Sequence, residues 1–270
     1  MSHSSKKFHC ENRIIWISGG TKGIGAALVA ELVAKGNTLY ITARSKDALN
    51  ALEASHPNQV TGLVGDITDL TTMKQHAQII QEQQGKLDLL ILNAGTAEYL
   101  DTNKFDSQLF KRVMDVNFLG SMHHLEAALP LLRLSQTRTI VGIGSCAAYT
   151  PFSRAEAYGA SKAALHYCLN SLRVDLADEG FHVCVVAPGF VKTPLTDKND
   201  FPMPMLLSAD VAAQKIIEGI ERQKQQVRFP TVFTGFIGLI GGLPSQMRHN
   251  IMLKFRKNSE NGTQTDGDSA

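Results

Sequence analysis

The sequence predicts an α/β fold: a parallel, doubly wound sheet of six to seven strands with helices on both faces. Three observations carry that prediction. Short apolar runs recur from Arg13 to Ala187, each too short for a buried helix. Stretches with helical patterning separate them, as crossovers between parallel strands require. A glycine-rich segment, Gly19 to Gly25, stands between the first run and the first helix.

Composition narrows the field before any motif is read. The chain has 270 residues, 43% hydrophobic and with a net charge of +2, so it can build a sizeable core and has no general affinity for polyanions such as nucleic acid. The N-terminus lacks the apolar stretch of a secretory leader. Cys10, Cys146, Cys168 and Cys184 are widely spaced, which reads as reduced thiols in a cytoplasmic protein. No histidine spacing matches a metal site, and the adjacent His123 and His124 point apart on a helix, so no metal is assigned.

The elements follow in order. Residues 1–11 are polar and read as a flexible start, 12–230 as one domain, 231–257 as an extension and 258–270 as a disordered tail. Arg13–Ser18 is the first strand, and the loop Gly19, Gly20, Thr21, Lys22, Gly23, Ile24, Gly25 leads into a helix that Gly36 stops. Strand, glycine loop and helix in that order cradle a phosphate: glycines admit a close backbone, and the helix start offers free N–H groups. A tight turn is the plainer reading of the loop alone.

The second strand, Thr38–Thr42, ends at Ala43-Arg44. Dinucleotide folds read the ribose 2′ position there, an acid accepting from a hydroxyl and an arginine accommodating a phosphate. Here Arg44 is present, with Lys22 nearby, so NADP(H) is preferred over NAD(H). Two solvated surface cations are the alternative. A third strand, Val60–Val64, precedes Asp66, able to accept from an adenine amino group, while Asp69 caps the next helix. Leu87–Leu92 reads as a central strand ending in Asn93-Ala94-Gly95, where a ligand can approach the backbone. The stretch 106–134 is helical and contains Asn117, which earns no functional reading by itself.

Arg138–Ile143 is the fifth strand and delivers Ser145; 155–180 is a helix, and Phe181–Ala187 is the sixth strand, closed by Pro188-Gly189. Tyr158 and Lys162 are four apart and share one helix face. A lysine ammonium beside a phenol favours the phenolate and lowers its pKa, and a serine hydroxyl can hold a reacting oxygen. The trio therefore suits proton transfer to or from an alcohol or carbonyl oxygen.

Taken together, Ser18-Gly-Gly-Thr-Lys-Gly-Ile-Gly25, Asp66, Asn93-Ala-Gly95, Asn117, Ser145, Tyr158-Gly-Ala-Ser-Lys162 and Pro188-Gly-Phe-Val-Lys-Thr193 resemble the short-chain dehydrogenase/reductase family over about residues 13–195. The resemblance implies a Rossmann-like sheet. It also implies Tyr158 as acid-base, Ser145 binding the substrate oxygen, and Lys162 holding the nicotinamide ribose. Asn117 would keep a water in a proton relay. Gly19, Ile24 and Asn93 would line the cofactor, Asp66 and Ile67 would hold adenine, and the backbone after Pro188 (Gly189, Val191) with Thr193 would orient the carboxamide. Two departures stand out: Leu92 replaces the first asparagine of the family's Asn-Asn-Ala-Gly, and Gly144 replaces the first serine of a pair. The C-terminus also differs, which leaves a homodimer through the helices bearing Asn117 and Tyr158 as the implied assembly.

The expected activity is NADPH-dependent reduction of a lipophilic ketone or aldehyde to an alcohol, reversibly; a non-catalytic NADP(H)-binding sensor is the alternative. Cys146, Tyr149, Phe152 and Phe190 are candidate substrate-wall residues, and Phe190–Leu207, rich in proline, methionine and leucine, is expected as a loop closing over the pocket. Gln226–Phe229 is a candidate seventh strand. Beyond it, an apolar hairpin with four glycines (231–243) and a basic amphipathic helix leave three readings for 229–257: lid, dimer packing or membrane-surface contact.

Overall fold

The computed structural model describes residues 9–262, with side chains described as far as Arg256. Seven parallel strands form one sheet in the order β3-β2-β1-β4-β5-β6-β7. They are β1 (Ile14–Ser18), β2 (Thr38–Ala43), β3 (Val60–Val64), β4 (Leu89–Leu92), β5 (Thr139–Ile143), β6 (His182–Pro188) and β7 (Gln226–Phe229). The seventh strand expected from the sequence is present, paired in register with β6 from Val185–Gln226 to Pro188–Phe229. The fold is thus the Rossmann-like sheet that the apolar runs imply.

Two apolar layers sandwich the sheet because alternate strand residues point to opposite faces. Ile15 and Ile17 join one layer with Leu28 and Leu32 of α1 (Gly23–Ala34), Leu49 of α2 (Lys46–Ser55) and Ile216 of α7 (Ala209–Glu221). Trp16 joins the other with Ile80 of α3 (Leu70–Gln84), Leu131 of α5 (Gly120–Arg133) and Leu169 of α6 (Glu156–Asp175). Strand order reverses between β1 and β4, and the crevice beyond their carboxyl ends is where such sheets bind ligands.

Three expectations need correction and one needs refinement. Residues 9–11 are not all loose: Cys10 is buried, its N–H donating to Glu221 Oε1 at 3.2 Å and its carbonyl accepting from Asn37 Nδ2 at 2.9 Å. Residues 1–8 lie outside the described residues. The helical run expected over 106–134 is continuous from Ser107 to Arg133 but is not uniform: α4 (Ser107–Met114) passes through a π-turn (Asp115–Leu119) into α5, so Asn117 sits on a widened turn. The apolar stretch after β7 is helix α8 (Thr231–Gly241), not a hairpin. Its glycines cost propensity, but Gly241 lies where a Cβ would meet the Tyr149 carbonyl at 2.2 Å, so the close contact selects glycine. Finally, α9 (Ser245–Gly262) continues through 258–262, where a disordered tail was expected; 263–270 lie outside the described residues.

Candidate active site

The site begins at the β1–α1 loop. Gly19 adopts φ +71°, a conformation few side chains tolerate, and a Cβ at Gly25 would stand 2.2 Å from the Gly19 carbonyl oxygen. The loop is therefore a cradle that side chains would fill. No side chain caps α1, so its first amides are open to an anion. Asn93, at the end of β4, staples the loop: its Nδ2 donates to the carbonyls of Ser18 (3.1 Å) and Gly19 (2.9 Å).

A cleft of about 830 Å³ runs along this edge. Every residue expected from the sequence to contact the cofactor lines it, from Thr21, Lys22 and Gly23 through Asp66 and Ala94 to Val191 and Thr193. Asp66 is held by Thr68, whose N–H and hydroxyl both donate to Oδ1 at 2.9 Å. Arg44 and Lys22 are exposed on the rim, and neither is ion-paired with a described residue. Cradle, helix start and cations together fit the phosphates of a nicotinamide dinucleotide.

Ser145 leaves the end of β5 through Gly144 and caps a short 3₁₀ turn, its Oγ accepting from the Ala147 N–H at 3.1 Å. Lys162 is buried on α6 and donates from Nζ to the Ile143 carbonyl at 2.9 Å. Burial lowers its pKa to about 8. Tyr158 is pushed up to about 12: burial raises it, and the hydrogen-bonding Ser145 side chain pulls it partway back. The expectation that Lys162 depresses the phenol is thus not met. Its Nζ is 5.9 Å from the Tyr158 ring centroid and is turned to a backbone carbonyl, so desolvation wins.

Asn117 does not line the cleft but braces it from behind. Its Oδ1 accepts from the Thr96 N–H at 2.7 Å, and its Nδ2 donates to the Thr96 carbonyl and to Ser161 Oγ, both at 2.9 Å. This ties the loop after β4 to α6. Gly95 makes room: a Cβ there would lie 3.3 Å from both Asn117 Oδ1 and Lys162 Nζ.

A residue that sequence reasoning missed lies beneath Ser145. His166, one turn beyond Lys162, is buried, and its Nε2 accepts the Ser145 N–H at 3.4 Å. Burial, and to a lesser degree the Lys162 charge, lowers its pKa to about 4, so the acceptor is neutral at physiological pH. A Cβ at Gly144 would stand only 1.8 Å from that nitrogen. Gly144 therefore exists with this histidine. Their i, i+4 spacing from Lys162 to His166 was the available signal; the contact with Gly144 was not.

A second, apolar cavity of about 330 Å³ adjoins the cleft, and Ser145, Tyr158 and Gly189 line both. Cys146, Phe152 and Phe190 line it. Tyr149 does not: the 3₁₀ turn carries it behind the site, where its ring meets His166 at 5.4 Å and its hydroxyl accepts from Gln226 Nε2 at 2.6 Å. The loop 190–207 also reaches this cavity, with Leu195 and Pro202 among its lining residues. Phe201 and Pro204 turn inward, while Met205 and Leu206 are 53% and 41% exposed. Phe233 and Ile237 of α8 and Met252 and Phe255 of α9 complete the wall, so the C-terminal extension is built into the pocket.

A phenol and an ammonium sharing one wall of a dinucleotide-sized cleft belong to proton-coupled redox chemistry, which makes the class an NAD(P)-dependent oxidoreductase. The chain belongs to the short chain dehydrogenase family, whose model matches residues 13–202. An uncharacterized oxidoreductase of Myxococcus xanthus is 31% identical over 223 residues, 81% of this chain and 87% of the relative. The 11-beta-hydroxysteroid dehydrogenase 1A of Arabidopsis thaliana is 31% identical over 245 residues, covering 82% and 69%. Among solved structures, a short chain dehydrogenase from Burkholderia cenocepacia in complex with NADP superposes with a TM-score of 0.80 at 22% identity, covering 91% of this chain and 99% of that one. At that identity the likeness speaks for the fold alone.

Proposed function

We propose that the protein is an NADPH-dependent carbonyl reductase, reversible as an alcohol dehydrogenase, acting on a lipophilic ketone or aldehyde. One observation carries the reading: Ser145 and Tyr158 stand where the dinucleotide cleft and the apolar cavity meet. NADPH, when bound, supplies a hydride to the carbonyl carbon. The chain supplies everything else. Ser145 holds the carbonyl oxygen by hydrogen bond, and Tyr158, protonated at neutral pH with its pKa near 12, donates the proton that completes the alcohol. Lys162, mostly charged at pH 7, binds the ribose. Asn117 acts through Lys162, by clamping Thr96 and Ser161 around it.

The NADPH preference rests on Arg44, with Lys22 as a second cation, both open to a 2′-phosphate. Asp66 and Ile67 take the adenine, and Thr193 with the backbone after Pro188 the carboxamide. Exposed Tyr167 and Val174, seven apart on α6, support a homodimer through that helix. Exposed Val232, Phe236 and Leu239 on α8, beside the basic α9, support a peripheral membrane contact for 229–257. Four unpaired cysteines, three of them buried, suit a cytoplasmic protein. Among the described residues no helix is long and apolar enough to cross a membrane. Nothing in the geometry favours the sensor alternative, which leaves the buried Lys162 and Tyr158 without a task.

Tyr158→Phe tests the mechanism. Turnover is expected to fall roughly 10²–10⁴-fold, the range for loss of a general acid, with NADPH affinity nearly unchanged. A wild-type rate in this variant contradicts the mechanism.

A further inference from the structure

The cavity walls say more than lipophilic. Four aromatic rings form a continuous arc around it: Tyr99 meets Phe201 edge-on at 5.8 Å and 87°, Phe201 meets Phe190 at 6.1 Å, and Phe190 meets Phe233 at 5.7 Å. The rings come from three separate parts of the chain: the loop after β4 (Tyr99), the two ends of the 190–207 loop (Phe190 and Phe201) and α8 (Phe233). The arc is also fastened. The Tyr99 hydroxyl donates to Asn199 Oδ1, and the Arg154 guanidinium lies 5.3 Å over the Tyr99 ring. Arg154 is in turn tied to Asp200 by two contacts of 2.9 Å, and its carbonyl accepts from the Leu100 N–H at 3.0 Å. Its backbone is held at φ +67°, outside the region most side chains adopt.

Two consequences follow for the occupant. Most polar side chains around the cavity are already engaged: Arg154 with Asp200, Tyr99 with Asn199, and the Thr196 hydroxyl with the Val191 carbonyl at 2.7 Å. Arg256, at the same wall, is likewise engaged. Besides the exposed, neutral Ser153, that leaves Ser145 and Tyr158 as the place for a polar group, so a second ionised group on the substrate would lack a charged partner. The wall is also built of rings packed on one another, and at about 330 Å³ the cavity is at the small end of ligand pockets, which run from roughly 300 to 1,000 Å³. Turned aromatic faces reward a flat ring system, whereas a flexible chain must be frozen to lie against them.

We infer that the cavity selects an uncharged, flat, ring-bearing ketone or its alcohol, an aryl or fused-ring compound, with its oxygen at Ser145 and Tyr158 and its rings against the Tyr99–Phe201–Phe190–Phe233 arc. This rests on the carbonyl-reductase reading and narrows it. A straight-chain ketone or an acyl thioester is then a poor substrate.

Two uncharged ketones with the same number of carbons, 2-tetralone and 2-decanone, separate the alternatives. Both are measured by NADPH consumption and by calorimetric binding to the enzyme loaded with NADP⁺, in wild type, Phe201→Leu and Phe233→Leu. The ring ketone is expected to lead by at least about tenfold in kcat/KM and in Kd, with the lead shrinking several-fold in either variant. Equal handling of the two ketones, a lead for 2-decanone, or no binding of either overturns the substrate class, while reduction of 2-decanone would leave the reductase reading standing. A ring preference in Kd with no NADPH consumption supports the class and overturns the reductase reading instead.

Discussion

The floor and the roof of the site are built by different means. The floor, from Gly19 through Asn93, Asn117 and Lys162, is held by polar side chains bonded mainly to backbone atoms of strand ends and of the loops that leave them, at 2.7–3.1 Å. The roof, from Tyr99 through Phe201 to Phe233, consists of rings on loops and on the C-terminal extension, held mainly by ring packing, an exposed ion pair and the Tyr99–Asn199 hydrogen bond. Backbone partners fix a position because the sheet fixes the backbone; rings on loops fix a shape that substitutions can change without disturbing the chemistry. In the proposed function, reaction and selectivity are therefore separable, with Ser145 and Tyr158 as the seam.

The sharpest way to break the floor is at Gly144. Gly144→Ser drives a side chain into His166 Nε2, and kcat is expected to fall by about two orders of magnitude while substrate KM moves little, because Ser145 loses its position. Adding His166→Val opens the space and is expected to recover most of the loss. Unaltered kcat in the single variant, or no recovery in the double, removes His166 from the account. Next in size is the cofactor rim: Arg44→Asp should cut kcat/KM for NADPH roughly 10–100-fold and raise it for NADH, and unchanged preference would sink the 2′-phosphate assignment.

A smaller effect reads the floor's electrostatics. For carbonyl reduction Tyr158 must be protonated and Lys162 charged. With Tyr158 near 12 and Lys162 near 8, raising the pH removes the lysine proton first. The kcat/KM of the free enzyme is thus expected to be flat up to about pH 7 and to fall toward a tenfold loss per unit above 8. In Lys162→Arg, whose group does not titrate, whatever activity remains should show no fall there. A profile that is flat through pH 9 in wild type contradicts the assignment.

Much of the floor was legible because it follows from short-range rules. Apolar runs such as Leu89–Leu92 name their strands, and strand–glycine–helix order names the cradle. What was misread depends on distant contacts. Asn117 reads as a helix residue because a π-turn leaves no mark on a period of 3.6, yet its bonds run to Thr96 and Ser161. The pairing of Gly144 with His166 joins residues on a strand end and a helix that only the fold brings together. The roof was least legible. Tyr149 lies three residues past the Phe-lined cavity's Cys146 but is swung behind it by one 3₁₀ turn. The glycines of α8 argue against a helix on propensity alone, at a cost of about 1 kcal/mol each, which packing against Tyr149 and β7 offsets.

The central claim is that a hydride crosses from the floor's cofactor to a carbonyl held at the seam, with Tyr158 supplying the proton. The most direct measurement follows the label: NADPH deuterated at the transferring position of C4, 2-tetralone, and mass analysis of the alcohol formed by wild type and by Tyr158→Phe. The account predicts one deuterium at the carbinol carbon in the wild-type product and almost no product from the variant. Alcohol without deuterium, or equal labelled product from both proteins, would contradict it.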